Sequence, residues 1–341
     1  MPRLSPAVLL LLCGLAQQVA AQQYDLRVFS VEDGLPSATV RSVTEDGQGF
    51  LWLATDGGAC RSEGRAFQTL DERLGASGSA VSTLHRSNSN ILWAGLADGG
   101  IAQWDGHRFI AFPGKLNTRV RSLLADEEGR VWACDIEGHA RVFTAEGKVV
   151  QALTDHLAQV WVNKLVADTN GDIWAGTDDG LLHYTAKAWH EVNESNGLPK
   201  ARILDLAVDS NDLLIGTTAG LVIRQGDHFA VLDSTSGLLS NRVQAVLEGR
   251  DGALWLGTPA GMVRILRRGN DPKAWRITTV TEANGLGHND VRCLYQDRSG
   301  ALWVGTAFGG VSNFVSSALA HGTERDGLRS RIASAVRPTP D

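Results

Sequence analysis

The sequence predicts a seven-bladed β-propeller, because one tryptophan-centred segment recurs through the chain at nearly constant spacing. The segment reads Asp-Gly-Ala-Leu-Trp-Leu-Gly-Thr at 251–258, and its copies align on Trp52, Trp93, Trp132, Trp174, Leu214, Trp255 and Trp303. Neighbouring copies lie 41, 39, 42, 40, 41 and 48 residues apart, which is the period of propeller blades with four short strands each. A helical solenoid would need runs of 3.6-residue periodicity, and the chain has none. Glycine supplies 38 of the 341 residues, an excess that suits a turn-rich all-β fold.

Each repeat is interpreted as four strands, labelled a to d. Strand a follows the pattern Val-x-small-Leu/Val, as in Val40–Val43 and Val291–Leu294. Apolar residues three apart lie on opposite faces of a strand, so both faces are expected to be buried between neighbouring blades. A turn containing Asp and Gly leads to strand b, whose tryptophan is expected to pack one blade against the next. Strands c and d complete the repeat, and a Gly-Leu-Pro loop, as at 197–199, returns to strand a.

The two ends of the repeat region predict how the ring closes. A strand-d pattern at 26–31 precedes the first strand a, whereas no strand d follows the last strand c at 310–314. We expect the first strand to pair into the last blade, because this arrangement removes two exposed strand edges. The propeller is then predicted to span residues 22–314. Residues 315–341 are rich in Ser, Arg and Pro and are predicted to form a disordered tail.

Residues 1–21 have the features of a secretory signal peptide. Arg3 is followed by an apolar run at 7–16 and by small residues at 19–21, before an expected cleavage at Gln22. No stretch of the mature chain approaches the ~20 apolar residues of a membrane span, so a periplasmic or secreted protein is predicted. Loss of Arg3 changes the formal net charge from −6 to −7, an acidic balance that argues against nucleic acid as a partner.

The cysteines do not predict a disulfide framework, and the acidic residues do not predict a metal site. The mature chain keeps Cys60, Cys134 and Cys293, an odd number. Cys293 occupies a position filled elsewhere by small residues, so a buried thiol is expected, while a bridge between Cys60 and Cys293 stays an open alternative. The segment 168–172 resembles the opening of a calcium loop, but the distal Glu is missing. No metal or other cofactor is predicted.

The patterns Gly-Leu-Pro, Val-x-Ser-Val, Asp-x-x-Gly, Leu-Trp-x-Gly-Thr and Gly-Gly together resemble the two-component regulator propeller repeat, over about residues 24–314. The resemblance implies an exported sensor region of the hybrid histidine kinase type. Members of this family typically carry two propellers, a small β-sandwich, a membrane helix and a cytoplasmic kinase or cyclase. A single propeller is predicted here, so any output is expected to pass through a membrane-bound signalling protein as partner.

Candidate binding residues lie where the repeats differ. In a propeller of this strand order, the d-to-a and b-to-c loops share one face, which is the default binding surface. Five candidate residues stand immediately before a strand a, and the sixth, a histidine, stands two residues before the last of these five. The six are Arg119, Trp161, Arg202, Arg242, His288 and Asp290. Arginine forks and an aromatic plane predict a site for a small anionic ligand, such as an oligosaccharide with carboxylate or sulfate groups. The alternative is that the arginines pair with acidic b-to-c loops and only keep the rim solvated.

Enzymatic functions have weaker support in the sequence. The Asp-x-x-Gly-x-x-Trp turn resembles the Asp box of sialidases but has one residue more between Asp and the aromatic residue. The tyrosines lie in strand patterns that core packing explains. A lyase similar to the streptogramin lyases stays open, with His288 as its candidate residue. The sequence therefore predicts a ligand-binding sensor that is not an enzyme, with a propeller lyase or hydrolase and a protein-binding scaffold as alternatives.

Overall fold

The computed structural model describes residues 26–62, 66–70, 80–208, 212–226, 228–269 and 271–314. The predicted signal peptide at 1–21 and the predicted tail at 315–341 lie outside these residues. The described strands form seven antiparallel sheets, and each sheet is one blade of a propeller. The predicted fold class is therefore confirmed.

The strands follow the predicted order a to d in every blade except blade 3, which has strands a to c among the described residues. Blade 1 contains β2 Val40–Glu45, β3 Leu51–Thr55, β4 Gly58–Ser62 and β5 Phe67–Thr69, and blade 2 contains β6 Val81–Arg86, β7 Leu92–Leu96, β8 Gly100–Trp104 and β9 Phe109–Lys115. Blade 3 contains β10 Val120–Ala125, β11 Val131–Asp135 and β12 Ala140–Phe143, and blade 4 contains β13 Val162–Ala167, β14 Ile173–Thr177, β15 Leu181–Thr185 and β16 Ala188–Val192. Blade 5 contains β17 Ile203–Val208, β18 Asp212–Thr217, β19 Gly220–Gln225 and β20 His228–Leu232, and blade 6 contains β21 Ala245–Glu248, β22 Leu254–Thr258, β23 Gly261–Leu266 and β24 Arg276–Val280.

Blade 7 joins the beginning of the described chain to its end. It contains β25 Val291–Gln296, β26 Leu302–Thr306, β27 Val311–Phe314 and the first strand, β1 Leu26–Phe29. The β1 strand is antiparallel to β27, with Leu26 opposite Phe314 and Phe29 opposite Val311. Backbone pairing of this kind supplies partners for the outer edge of β27, which would otherwise be open.

Blade 3 differs from the four-strand prediction. After β12, the chain forms a helix, α1 Gln151–Leu157, in place of strand d. The Thr154 hydroxyl accepts a hydrogen bond from the Val142 amide at 3.1 Å, and the Val150 amide donates to the Val142 carbonyl at 2.7 Å. Leu153 and Leu157 are buried in the core between blades 3 and 4. The helix therefore caps the outer edge of β12 with side-chain and backbone contacts.

The repeated tryptophans are buried between blades, as predicted. Trp52, Trp132 and Trp255 are at most 2% exposed and belong to different inter-blade clusters. In four blades the indole also donates a hydrogen bond to the aspartate that begins the a-to-b turn, at 2.7–3.1 Å. The turn motif and the tryptophan are thus one structural unit, which accounts for their joint recurrence.

The three described cysteines are free thiols, so the alternative of a Cys60–Cys293 bridge is wrong. Cys60 and Cys134 are buried, and burial raises the pKa of each thiol to about 12. Cys293 is only half-buried, because it lines the central channel, which corrects the expectation of full burial. Among the described residues, no helix has the length and apolar character needed to span a membrane.

Candidate functional site

The d-to-a and b-to-c loops lie together, and we call the surface they form the upper face. The first residue of a b-to-c loop donates its amide hydrogen to the carbonyl of the residue just before strand a in the same blade. Examples are Asp56 to Thr39 at 3.3 Å, Thr218 to Arg202 at 3.0 Å and Ala307 to Asp290 at 2.9 Å. These hydrogen bonds place the predicted rim residues beside the b-to-c loops.

A central cavity of about 750 Å³ extends inward from the upper face and is lined mainly by the a strands. Six of the seven a strands have a register shift at their second residue, between the first and third residues that pair with strand b. A bulge of this kind re-aims side chains and interrupts regular pairing. The second residues that line the cavity are Arg41, Ser82, Arg121, Asn163, Leu204, Gln244 and Arg292.

The expectation that both faces of strand a are buried is wrong for the arginines between its two apolar positions, although Ser82, Asn163 and Leu204 are buried at the same position. Val120 and Leu123 are buried, but Arg121 lies between them and contributes to the cavity. Arg41, Arg121 and Arg292 were not predicted as site residues. In the sequence these arginines occupy the x position of the pattern Val-x-small-Leu. That position is polar in six of the seven repeats, which is the signal that could have identified them. A strict two-residue alternation assigns this position to a blade interface.

The structure divides the six predicted site residues into two groups. Arg119 and Arg242 line the cavity. The other four predicted residues are not part of the cavity lining and stand on the surrounding rim. They are Trp161, Arg202, His288 and Asp290. We call the cavity entrance, with its arginines at positions 41, 119, 121, 242 and 292, the arginine mouth.

Three rim carboxylates each pair with an arginine. Arg202 donates to Asp178 at 2.7 Å and Arg292 to Asp290 at 2.5 Å, while Arg41 pairs with Asp56. The hydrogen bond from Arg41 is the largest influence that holds the pKa of Asp56 below its ordinary value, and the charges of Arg119 and Arg292 act in the same direction. Of the arginines in the alternative interpretation, Arg202 does pair with an acidic b-to-c loop, through Asp178.

The remaining arginines of the mouth have no such partner. Within the described part of the chain, no carboxylate forms an ion pair with Arg119, Arg121 or Arg242. Asp135, one of the acidic residues of the b-to-c loops, is fully buried, and its Oδ1 accepts the amide hydrogens of Glu137 and His139 at 3.0 Å. The guanidinium charges of Arg119, Arg121 and Arg242 are therefore not balanced by an ion pair among the described residues.

Arg121 is held in place by a chain of polar contacts. Its Nη1 donates to Asn163 Oδ1 at 2.6 Å, and Asn163 Nδ2 donates to Asp178 Oδ1 at 2.7 Å. Asn163 is only 1% exposed, so its amide is fixed in one orientation. Burial is the main cause that lowers the pKa of Arg121, and the nearby charges of Arg202 and Arg242 add to it. An anion beside this guanidinium would relieve that repulsion.

Trp161 presents a flat aromatic surface on the rim. Its side chain is 45% exposed, and its ring lies on Gly138 of the neighbouring b-to-c loop. A Cβ at Gly138 would stand 2.4 Å from the ring carbon Cγ, and the backbone there has a φ of +79°. Glycine is therefore needed at this position for the ring to lie where it does.

His288 makes a local contact that determines its tautomer. Its Nδ1 accepts a hydrogen bond from the Asp290 amide at 3.0 Å, so the neutral ring carries its proton on Nε2. The ring also packs edge-on against Phe308 at 5.2 Å, and Phe308 is 70% exposed. In this arrangement neither ring nitrogen offers a free lone pair for proton abstraction.

The segment that resembles a calcium loop has another role. Asp168, Asp172 and His183 bring potential ligand atoms within 4.8 Å of one another. However, Asp168 Oδ1 accepts amide hydrogens of its own turn and Oδ2 accepts from Trp174 Nε1 at 3.1 Å. The His183 ring stacks on Trp174 at 3.7 Å. These contacts organise the turn and the tryptophan of blade 4.

Fold and site together define a seven-bladed β-propeller with an arginine-lined channel entrance. In particular, the family model described as two component regulator propeller matches residues 34–57, 237–260 and 285–308 of this chain. Each match covers a d-to-a loop, strand a and strand b of one repeat. The resemblance seen in the sequence is thus confirmed. None of the curated proteins compared matches the chain.

Solved structures show the same fold at low sequence identity. The extracellular domain of a B. thetaiotaomicron protein described as a hybrid two component system has a TM-score of 0.64 and 19% identity, over 85% of this chain and 42% of that one. A second such domain, described as part of a one component system, has a TM-score of 0.70 and 16% identity, over 86% of this chain and 40% of that one. A streptogramin B lyase has a TM-score of 0.68 and 12% identity, over 87% of this chain and 99% of that one. The chain thus spans about two fifths of the length of the two extracellular domains.

Proposed function

We propose that this propeller is an exported sensor domain that binds a small anionic ligand, derived from a glycan, at the arginine mouth. The observation that carries the proposal is that Arg119, Arg121 and Arg242 line one cavity and form no ion pair with a carboxylate of the described residues. Guanidinium groups recognise carboxylate and sulfate oxygens through paired hydrogen bonds. The exposed ring of Trp161 on the adjacent rim offers a surface on which a sugar ring can pack.

A signalling role is supported by the propeller repeats and by the similarity to extracellular domains of two component systems. In this proposal residues 1–21 direct export, the mature propeller acts in the periplasm or outside the cell, and a membrane-bound histidine kinase receives the signal. A periplasmic domain of a kinase encoded beside this gene should crosslink to the propeller more strongly with ligand than without it. Equal crosslinking in both conditions would contradict the partner but leave the ligand site.

Binding can be measured by calorimetry with uronate and sulfated disaccharides, and with cellobiose as an uncharged probe. The wild-type protein should bind at least one anionic disaccharide and not cellobiose. The double variant Arg119→Ala, Arg242→Ala should lose this binding at unchanged thermal stability, because neither side chain forms an ion pair in the described structure. Arg108→Ala is a suitable control, since Arg108 is exposed on a c-to-d turn away from the upper face. Unchanged affinity in the double variant would reject the arginine mouth as the site.

A lyase is the second candidate, because the streptogramin B lyase matches over nearly its whole length. His288 Nδ1 accepts a hydrogen bond from a backbone amide, whereas a general base needs a free lone pair directed at the substrate. This contact favours binding over proton abstraction. Turnover of streptogramin B by the wild-type protein, abolished in His288→Ala, would establish the lyase instead.

A further inference from the structure

The arrangement of cations in the arginine mouth points to a ligand with two separated anionic groups. We infer that such a ligand bridges the channel entrance, with one anionic group at Arg119 and Arg121 and the other at Arg242. This inference rests on the proposed anion site and adds a requirement for two charges at opposite ends of the ligand.

The first step of the argument is the position of the arginines on the ring. Arg119 immediately precedes β10 in blade 3, Arg121 is the second residue of β10, and Arg242 lies three residues before β21 in blade 6. Blades three apart in a ring of seven stand on nearly opposite sides of the channel. All three residues nevertheless line the same cavity, so a ligand in that cavity meets positive charge on two sides.

The second step is the distribution of rim carboxylates. Asp56, Asp178 and Asp290 are occupied by Arg41, Arg202 and Arg292. Among the arginines of the mouth, those of blade 3 and blade 6 have no ion-pair partner in the described residues, so their charges are available to a ligand. A ligand with an anionic group at each end can meet both sides at close range, where the Coulomb interaction is strongest.

The third step is that the cation of blade 3 is held in position, whereas that of blade 6 is exposed. On blade 3, Arg121 is fixed by Asn163, which is almost completely buried. On blade 6, the side chain of Arg242 is exposed. A guanidinium fixed on one side favours a ligand that places its first charge there and extends its second charge to Arg242.

Two chondroitin-type disaccharides provide the test. Both carry one uronate carboxylate, and one of them also carries a 6-sulfate on the neighbouring hexosamine ring. The wild-type protein is expected to bind the sulfated disaccharide at least about tenfold more tightly, which is the effect of one additional charge-assisted contact. The advantage should shrink as the salt concentration rises.

Two variants locate the effect. In Arg242→Gln, the affinities for the two disaccharides should become equal within about threefold, while the variant unfolds at the same temperature as the wild type. Arg121→Gln should have the same result, because glutamine keeps a donor for Asn163 Oδ1, and Arg121→Lys should recover part of the preference. A preference that persists in Arg242→Gln would overturn the bridging arrangement.

The experiment separates failure of this inference from failure of the proposed function. If the wild-type protein binds both disaccharides with equal affinity, the two-charge requirement is wrong and the anion site stands. If it binds neither of them, both the inference and the uronate ligand class of the proposed function are wrong.

Discussion

The carboxylate of Asp46 accepts a hydrogen bond from the indole Nε1 of Trp52 at 2.8 Å, while its other oxygen accepts amide hydrogens of the intervening turn at 2.9 and 3.0 Å. One side chain therefore satisfies both the hairpin turn and the buried indole. Blade 2 has Ser87 at this position, and Trp93 Nε1 is buried without a hydrogen-bond partner in the described structure. An unsatisfied buried donor costs roughly 1–3 kcal/mol.

Ser87→Asp is expected to stabilise the protein, because the new carboxylate can accept from both the turn and Trp93. We expect a gain of about 1 kcal/mol in the free energy of unfolding, measured by urea titration. Gly249→Asp in blade 6 is the contrasting variant. A Cβ there would lie 2.7 Å from Asp251 Oδ1, so this substitution should destabilise. A loss of stability in Ser87→Asp would show that the serine turn of blade 2 cannot accommodate the motif.

Thr154→Val tests the cap on the outer edge of blade 3. Valine has nearly the shape of threonine but cannot accept the hydrogen bond from the buried Val142 amide. The variant is expected to lose about 1–3 kcal/mol of stability. Hydrogen exchange should become faster at the Val142 amide and stay unchanged in β22 of blade 6. Uniformly faster exchange in both blades would mean that the cap is not a local feature.

His85 should make the stability depend on pH. Burial is the main cause that lowers the pKa of His85 to about 4, from an ordinary value of 6.5, and the charge of Lys164 contributes. The unfolded chain therefore binds a proton below pH 6.5 that the folded chain does not bind until about pH 4, so stability falls as the pH decreases through this window. The loss from pH 7 to pH 5 is about 2 kcal/mol.

The measurement for His85 is urea unfolding at the two pH values. The His85→Gln variant cannot gain this proton, so its stability should change less between pH 7 and pH 5 than that of the wild type. Identical pH dependence in the two proteins would exclude His85 as the source.

The sequence was sufficient to predict the fold because most blades repeat the same residues for the same structural reason. Trp52 and Trp132 recur where one blade packs on the next, and the period of their spacing determines the number of blades. Helix α1 could not be predicted in this way, because it occupies the part of blade 3 that departs from the repeat. The second strand-a residues, such as Arg121, were missed because a bulge changes the side-chain direction that simple alternation assigns. Arg119 and Arg242 were predicted because residues that differ between repeats cannot be explained by the shared fold, and both line the cavity.

The contact between Trp161 and Gly138 provides a test of the aromatic surface that does not remove the tryptophan. Gly138→Ala places a methyl group where the indole now lies, at a backbone φ of +79°. Gly252→Ala is the matched control, since its φ is +71° and nothing lies within 4 Å of its Cβ position. Both variants should lose about 1–2 kcal/mol from the left-handed backbone conformation. Only Gly138→Ala should also displace Trp161 and weaken binding of the anionic disaccharide, by about tenfold if the ring packs on the sugar. Because the two variants share the backbone cost, equal affinities for the disaccharide would show that Trp161 lies outside the bound ligand, and the site would then be confined to the arginine mouth.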